Sequence, residues 1–287
     1  MTTQTGQATR TPEQRRALAE ALHASIIDQV QQLADSGRWR QFLDFARSFH
    51  TYSLNNLLLI LAQKPDATMV AGYRQWQTKG RHVRTGETGI RIFGYSQKKA
   101  SITEEGTTDE NAERVVRFFP VLSVFDISQT DAIDGATPTP ENPAQLLTGN
   151  NDHNLIGSLT AHLTTTGWTL TRKPLTHANG YTDPERRSIV LRNDLAPEQE
   201  AKTLLHETAH IQLHHIDDLD QYRAHRGRME VEAESVAYIV AGLAGLETST
   251  YSIGYITQWA GEDLDLIRDT ATRVLKATHA IADILPQ

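Results

Sequence analysis

His206-Glu207-Thr208-Ala209-His210 sets two imidazoles four residues apart, with a carboxylate beside the first. On a helix, residues i and i+4 stand one turn apart on the same face, so both rings can converge on one cation. Glu207 is then placed to take a proton from a water that the cation acidifies. The chain contains no cysteine, which excludes disulfides, thiolate metal sites, iron–sulfur clusters and cysteine nucleophiles. A metal must therefore be held by His, Asp or Glu, a donor set that suits Zn²⁺.

A catalytic zinc needs a third protein ligand and one open position. His214 continues the i+4 series, but along a straight helix it lies about 12 Å from His206 and cannot share its ion. His215 and His225 fall in expected loops, where a lone histidine is usually solvated. The metzincin pattern is excluded, because its glycine and third histidine positions are held by Leu213 and Ile216. Carboxylates remain, and Glu230-Val231-Glu232-Ala233-Glu234 opens a helical stretch whose apolar face is Val236, Ala237, Val240 and Ala241.

The elements that would position these groups can be read around them. Pro197 opens the motif helix, with Glu198 and Glu200 in its first turn, where acid complements the helix dipole. Before it, Gly180 to Asn193 reads as a hairpin turning at Asp183-Pro184, and a helix over 155–166 precedes a strand at 168–170. An edge strand beside such a helix can hold a peptide substrate by β-augmentation. The stretch 131–145 is rich in proline and poor in apolar residues, the best linker in the chain. N-terminal to it, Thr11-Pro12-Glu13-Gln14 reads as a capping box opening one helix, followed by helical stretches over 39–49 and 54–61. Short strands and turns are expected over 67–95, a polar loop over 98–113, and two strands around Pro120. Helices and strands are segregated rather than alternating, so the fold class is α+β in two domains: 1–130, a linker at 131–150, and 151–287.

Charge supports that division. Residues 1–130 carry 16 Lys/Arg against 13 Asp/Glu, whereas residues 131–287 carry 12 against 22, which implies modules with different partners. The basic strip is Arg74, Lys79, Arg81, Arg84, Arg91, Lys98 and Lys99, opposed by Glu87 alone and interleaved with Tyr73, Trp76, Phe93 and Tyr95. Positive side chains track phosphates, and aromatic faces stack unpaired bases. The same pattern fits a twisted sheet with a charged outer face and an aromatic core. Apolar residues are 39% and charged residues 22% of the chain, enough to build a core. Apolar runs such as Leu57 to Ala62 are too short to span a bilayer. The N-terminus lacks a signal-peptide layout, so a cytoplasmic protein without membrane association is expected.

Two resemblances sharpen these expectations. HExxH followed after 19 residues by ExxA-acid resembles the gluzincin zinc peptidases, in which a second helix supplies a glutamate ligand. The resemblance implies Glu230 as third ligand, ahead of Glu234, with Ala233 a small packing residue and Glu234 the acid that fixes a ligand imidazole. Glu232 matches no ligand. Glu207 would be the catalytic base, and Tyr251, Tyr255 and His225 are candidate oxyanion donors.

Tyr52-Ser53-Leu54-Asn55-Asn56, Ala71-Gly72-Tyr73-Arg74-Gln75-Trp76, Gly80-Arg81, Gly86-Glu87-Thr88-Gly89-Ile90 and Val124-Phe125-Asp126-Ile127-Ser128-Gln129 resemble the N-terminal domain of ArdC-type antirestriction proteins. The similarity covers about residues 10–130. It implies a single-stranded-DNA-binding module over a zincin-like peptidase domain, protecting incoming mobile-element DNA. Tyr73, Arg74, Trp76, Lys79, Arg81, Arg84 and Arg91 are then the candidate DNA contacts, and a host protein the candidate peptidase substrate. Two alternatives stay open: a DNA-binding protein with a proteolytically silent structural zinc, and a regulatory protease of the ImmA-like kind that cleaves a repressor.

Overall fold

The computed structural model of the chain describes residues 11–100, 114–133, 154–246, 260 and 263–285, with backbone alone at 97–100 and 114–118. The first half begins with three helices, α1 (Pro12–Gln32), α2 (Ser36–Phe49) and α3 (Leu54–Gln63). Each has a hydroxyl or carboxylate N-cap, from Thr11, Asp35 and Ser53, and Thr11 with Gln14 completes the expected capping box. These caps satisfy amides that would otherwise lack partners at the first turn.

The strands follow: β1 (Val70–Gly72), β2 (Arg81–Val83), β3 (Ile90–Phe93), β4 (Ser96–Ala100), β5 (Arg114–Phe118), β6 (Val121–Asp126) and β7 (Thr130–Ala132). They pair as an antiparallel sheet in the order β1-β6-β3, with two-stranded ladders β2-β7 and β4-β5. Pairing of β4 with β5 brings residues 96–100 into a ladder, so the segment expected as loop from Lys98 begins as strand. β7 includes Asp131 and Ala132, so sheet extends into the start of the stretch read as linker; the rest of that stretch from 134 lies outside the described residues.

Residues 73–78 also differ from the sequence reading. They form a short helix, α4 (Tyr73–Thr78), rather than strand or turn. Gly72 starts it with an extended backbone, and the Gln75 side chain returns to the Gly72 amide at 3.0 Å. This local closure outweighs the β-favouring aromatics of the segment.

Helix α3 is apolar almost all round because it is buried on several sides, by α1, α2 and the sheet. Two of its three amide side chains, Asn56 and Gln63, serve the free edge of β3. Asn56 takes the Phe93 carbonyl at 2.8 Å and the Phe93 N–H at 2.9 Å, and Gln63 does the same for Arg91 at 2.9 and 2.8 Å. Side chains thereby stand in for a missing strand and close an edge that would otherwise template pairing.

The second half contains α5 (Leu155–Thr165), β8 (Thr169–Lys173), β9 (Gly180–Asp183) and β10 (Ser188–Arg192). Helices α6 (Pro197–Gln212), α7 (Leu219–Ala224), α8 (Arg226–Leu243) and α9 (Leu264–Ala282) complete it. Strand β10 pairs parallel with β8 and antiparallel with β9, leaving β9 at the edge. The hairpin expected over 180–193 is β9–β10.

Helix α8 lies between α6, α9 and α2, and is apolar well beyond a single stripe. Buried side chains of both halves join one hydrophobic cluster that includes Trp39, Phe42, Val236, Ala237 and Val240. Polar ties reinforce the junction. Tyr238 donates its hydroxyl to Asp44, and the Arg47 and Arg40 guanidinium carbons lie 4.3 and 4.9 Å from its ring centroid. No helix of the described residues is long and apolar enough to cross a membrane.

Candidate metal centre

The motif residues lie in α6, and the two histidines project together as the helical period requires. Their Nε2 atoms are 3.1 Å apart, with the rings edge-on. Helix α8 crosses α6 and brings Glu230 to the same point, with Oε2 3.4 Å from His206 Nε2 and 3.9 Å from His210 Nε2. Metal-to-donor distances near 2 Å in a tetrahedral site imply donor separations of about 3.3 Å. The three observed separations bracket that figure, so the donor set fits one small divalent cation. Among the described residues, His206, His210 and Glu230 are the His/Asp/Glu group close enough to share an ion.

Glu234, one helical turn beyond Glu230, sets Oε2 3.0 Å from His206 Nδ1, with Lys202 Nζ 4.0 Å from its other oxygen. Glu207 is buried and accepts a 2.7 Å hydrogen bond from the Thr182 hydroxyl of edge strand β9. Gly180 makes this approach feasible. A Cβ there would lie 2.8 Å from both Leu191 and Thr203, so a larger residue would lever β9 away from α6.

Electrostatics separate the two histidines. Burial opposes a charged His206, but the hydrogen bonds to Glu230 and Glu234 outweigh it and raise its pKa to about 10. Burial and the charge on His206 push His210 down to about 3. Burial likewise raises Glu207, whereas Glu230 is lowered to about 2 against its own desolvation by His206 and Tyr222. The carboxylates around the two imidazoles thus favour positive charge at this point.

Several residues differ from their sequence-based reading. His215 is not a solvated loop histidine. It is buried, with Nδ1 3.0 Å from His210 Nδ1 and Nε2 2.7 Å from Glu232. The backbone turns sharply at His214, which adopts a left-handed φ of 60°, and His215 folds back to donate its N–H to the His210 carbonyl. Glu232, which matches no ligand, points into the core rather than to the metal side. His214 is exposed and pairs with Asp217, and His225 is exposed at the junction of α7 and α8. Tyr251 and Tyr255 lie outside the described residues. The tyrosine that does reach the site is Tyr222, on α7, whose hydroxyl donates to Glu230 Oε1 at 2.5 Å. It sits eight residues before Glu230 in a different helix, so no periodic pattern links the two.

The candidate DNA contacts are dispersed by the fold. Trp76 is fully buried, and its indole N–H donates to the Phe125 carbonyl at 2.8 Å, so it cannot stack a base. Arg81 donates to the Thr130 hydroxyl and carbonyl, and Arg84 to Glu87, Asp131 and the Ser128 carbonyl, closing the β2–β7 ladder. Arg91 is half-buried and bonds the Ser123 hydroxyl across the β3–β6 pair. Tyr73 is 51% exposed, and Arg74 and Lys79 are exposed beside it on and after α4. Sequence reading passed over Phe119. It is 62% exposed and packs its ring 5.9 Å from that of Tyr95, itself 60% exposed.

Comparison with known proteins adds family relationships for both halves. Residues 16–125 match the family of the N-terminal domain of anti-restriction factor ArdC, and residues 164–241 match the IrrE N-terminal-like domain of peptidase family M78. An uncharacterized protein of Bacillus anthracis is 26% identical over 263 residues, covering 78% of this chain but 44% of that protein. The chain thus spans less than half the length of that relative. The crystal structure of metal-free antirestriction protein ArdC from the R388 plasmid aligns with a TM-score of 0.51 at 20% identity, over 81% of this chain and 84% of that one. The Mn(II)-bound structure of the same protein aligns at 0.47 and 20% identity, over 82% and 84%.

Proposed function

We propose that this chain, which resembles ArdC-type antirestriction proteins in both matched regions, binds single-stranded DNA and carries a zinc-dependent, gluzincin-like peptidase site. In this reading residues 1–130 form the DNA-binding domain, 131–150 a linker and 151–287 the peptidase domain, acting in the cytoplasm on a host protein. Binding of entering single strands would hold the peptidase near host proteins that attack the same DNA, raising its effective concentration there.

The observation that carries the reading is the convergence of His206, His210 and Glu230 at coordination spacing beside a buried Glu207. A divalent cation held there supplies Lewis acidity, which acidifies a water and polarises a carbonyl. The chain's own residues supply the rest. Burial raises the pKa of Glu207 and so makes it a better proton acceptor. The Thr182 hydroxyl fixes one carboxylate oxygen of Glu207. The outer edge of β9 offers backbone groups to an extended peptide, directly beside Glu207. Tyr222 donates its one hydroxyl hydrogen to Glu230 and so orients that carboxylate.

For the DNA-binding half, support comes from the exposed Tyr73 with Arg74 and Lys79, and from the exposed Tyr95–Phe119 pair. Aromatic faces beside cations bind unpaired strands without strong sequence preference. The test is Glu207→Gln in the full chain. Zinc content and single-stranded-DNA gel shifts should be retained, while peptide hydrolysis is lost. Retained hydrolysis would overturn the assignment. Protection of a conjugated plasmid in a restricting host that survives the substitution would instead favour a DNA-binding protein with a structural zinc.

A further inference from the structure

We infer that His215 and Glu232 form a buried relay that fixes which nitrogen of His210 faces the metal site, and that they are positioning residues for that ligand. The inference rests on the reading that His206, His210 and Glu230 hold a cation. It concerns groups that no family resemblance assigns.

The argument starts at the carboxylate. Glu232 is fully buried and can only accept while ionised. It is held in that state from three sides: Arg273 Nε lies at 3.1 Å, the Thr270 hydroxyl donates at 3.2 Å, and Arg228 Nε lies at 3.7 Å. Its partner at 2.7 Å is His215 Nε2, which must therefore carry a hydrogen. A neutral imidazole with its proton on Nε2 has only a lone pair on Nδ1. His215 Nδ1 faces His210 Nδ1 at 3.0 Å, so with His215 as the neutral Nε2–H ring the hydrogen between them belongs to His210. His210 then has no proton on Nε2, the atom that faces His206 and Glu230. The carboxylate thus dictates, through two rings, a lone pair directed into the site.

The opposite arrangement would put a hydrogen on His210 Nε2 and block coordination. It would also leave Glu232 facing a second lone pair in the core, an uncompensated buried charge. The two ligands are consequently oriented by different devices. His206 meets a half-buried carboxylate directly, whereas His210 meets an imidazole backed by a carboxylate that lies in the core against α9. Arg273 also donates to the Leu213 carbonyl at 2.8 Å, joining the end of the motif helix to the same cluster.

The test is long-range ¹H–¹⁵N correlation of histidine rings in the metal-free full chain, combined with Zn²⁺ affinity by chelator competition. The expected spectrum shows His210 as the Nδ1–H form and His215 as the Nε2–H form. In Glu232→Gln and in His215→Gln, the His210 ring should become a tautomer mixture, and Zn²⁺ affinity should fall about 10- to 100-fold. A wild-type spectrum with His215 protonated on Nδ1, or a folded Glu232→Gln protein with unchanged tautomer and affinity, would overturn the relay. The tautomers of the unmodified protein are readable even if both variants fail to fold. If the wild-type chain bound no Zn²⁺, the metal reading would fall, while the metal-free spectrum would still decide the relay.

Discussion

Trp39 in α2 donates its indole N–H to the Ser235 hydroxyl in α8, 3.0 Å away and one residue beyond Glu234. The helix that brings Glu230 and Glu234 to the candidate metal site is thus seated on the N-terminal half by a fully buried ring. Ser235 and Tyr238 face that half from the same helix whose preceding turns face the histidines. Whatever shifts α2 therefore bears on the position of the third ligand.

Trp39→Ala should destabilise the chain by about 3–5 kcal/mol, the usual cost of deleting a large buried aromatic. Urea denaturation should show a lower midpoint. Zinc affinity should weaken as well, because α8 loses its seat. Unchanged zinc affinity in a folded but destabilised variant would show that the two halves are mechanically independent.

Thr182→Val removes the hydroxyl that orients Glu207 without changing the shape of β9. Zinc content should stay the same while peptide hydrolysis falls about tenfold. Glu207→Gln, which removes the base itself, should lower the rate about 10²- to 10⁴-fold. Steady-state kinetics on one fluorogenic peptide distinguishes the two. Equal losses would mean that Thr182 acts on the fold rather than on the carboxylate.

The arrangement of the site was legible in the sequence only in part. The convergence of His206, His210 and Glu230 was legible because helical spacing and one family pattern carry it. His215 and Glu232 were not. A reversal of the chain at a left-handed His214 returns the next residue to the core, and no periodicity announces that turn. Trp76 misled for the opposite reason. An aromatic among cations reads the same whether it faces bases or a sheet, and only the Phe125 carbonyl reveals which. The capping box at Thr11, the hairpin over 180–193 and both site helices were legible because each is fixed by local chemistry. Helix α4 was not, since a glycine–glutamine closure outweighs the propensity of its aromatics.

Tyr95→Ala and Phe119→Ala should each weaken single-stranded-DNA binding in fluorescence anisotropy, by about 1–3 kcal/mol for each base that loses its stack. Trp76→Phe should leave binding almost unchanged and lower thermal stability instead, because the Phe125 carbonyl loses its donor. Loss of binding in a folded Trp76→Phe chain would contradict the exclusion of Trp76 from the interface.

His50 ends α2 with its ring 6.1 Å from that of His279 in α9. Burial and, more weakly, the nearby His279 hold its pKa below the ordinary 6.5, against the Arg47 carbonyl and Asp283. A histidine with a lowered folded pKa takes up protons more readily when unfolded. Its contribution is complete above pH 6.5 and declines as the pH falls toward the folded value. His50→Gln should flatten that decline in denaturation midpoints as the pH falls below 6.5. An unaltered slope would place the acid sensitivity elsewhere.

Zinc stoichiometry by mass spectrometry of the purified chain and its ligand variants bears most directly on the whole account. One equivalent is expected in the unmodified chain and in Glu207→Gln, and none in His206→Ala, His210→Ala or Glu230→Ala. A chain that retains zinc without Glu230 but loses it in Glu234→Ala would contradict the ligand set, and an unmodified chain that takes up no divalent metal would end the hydrolase reading.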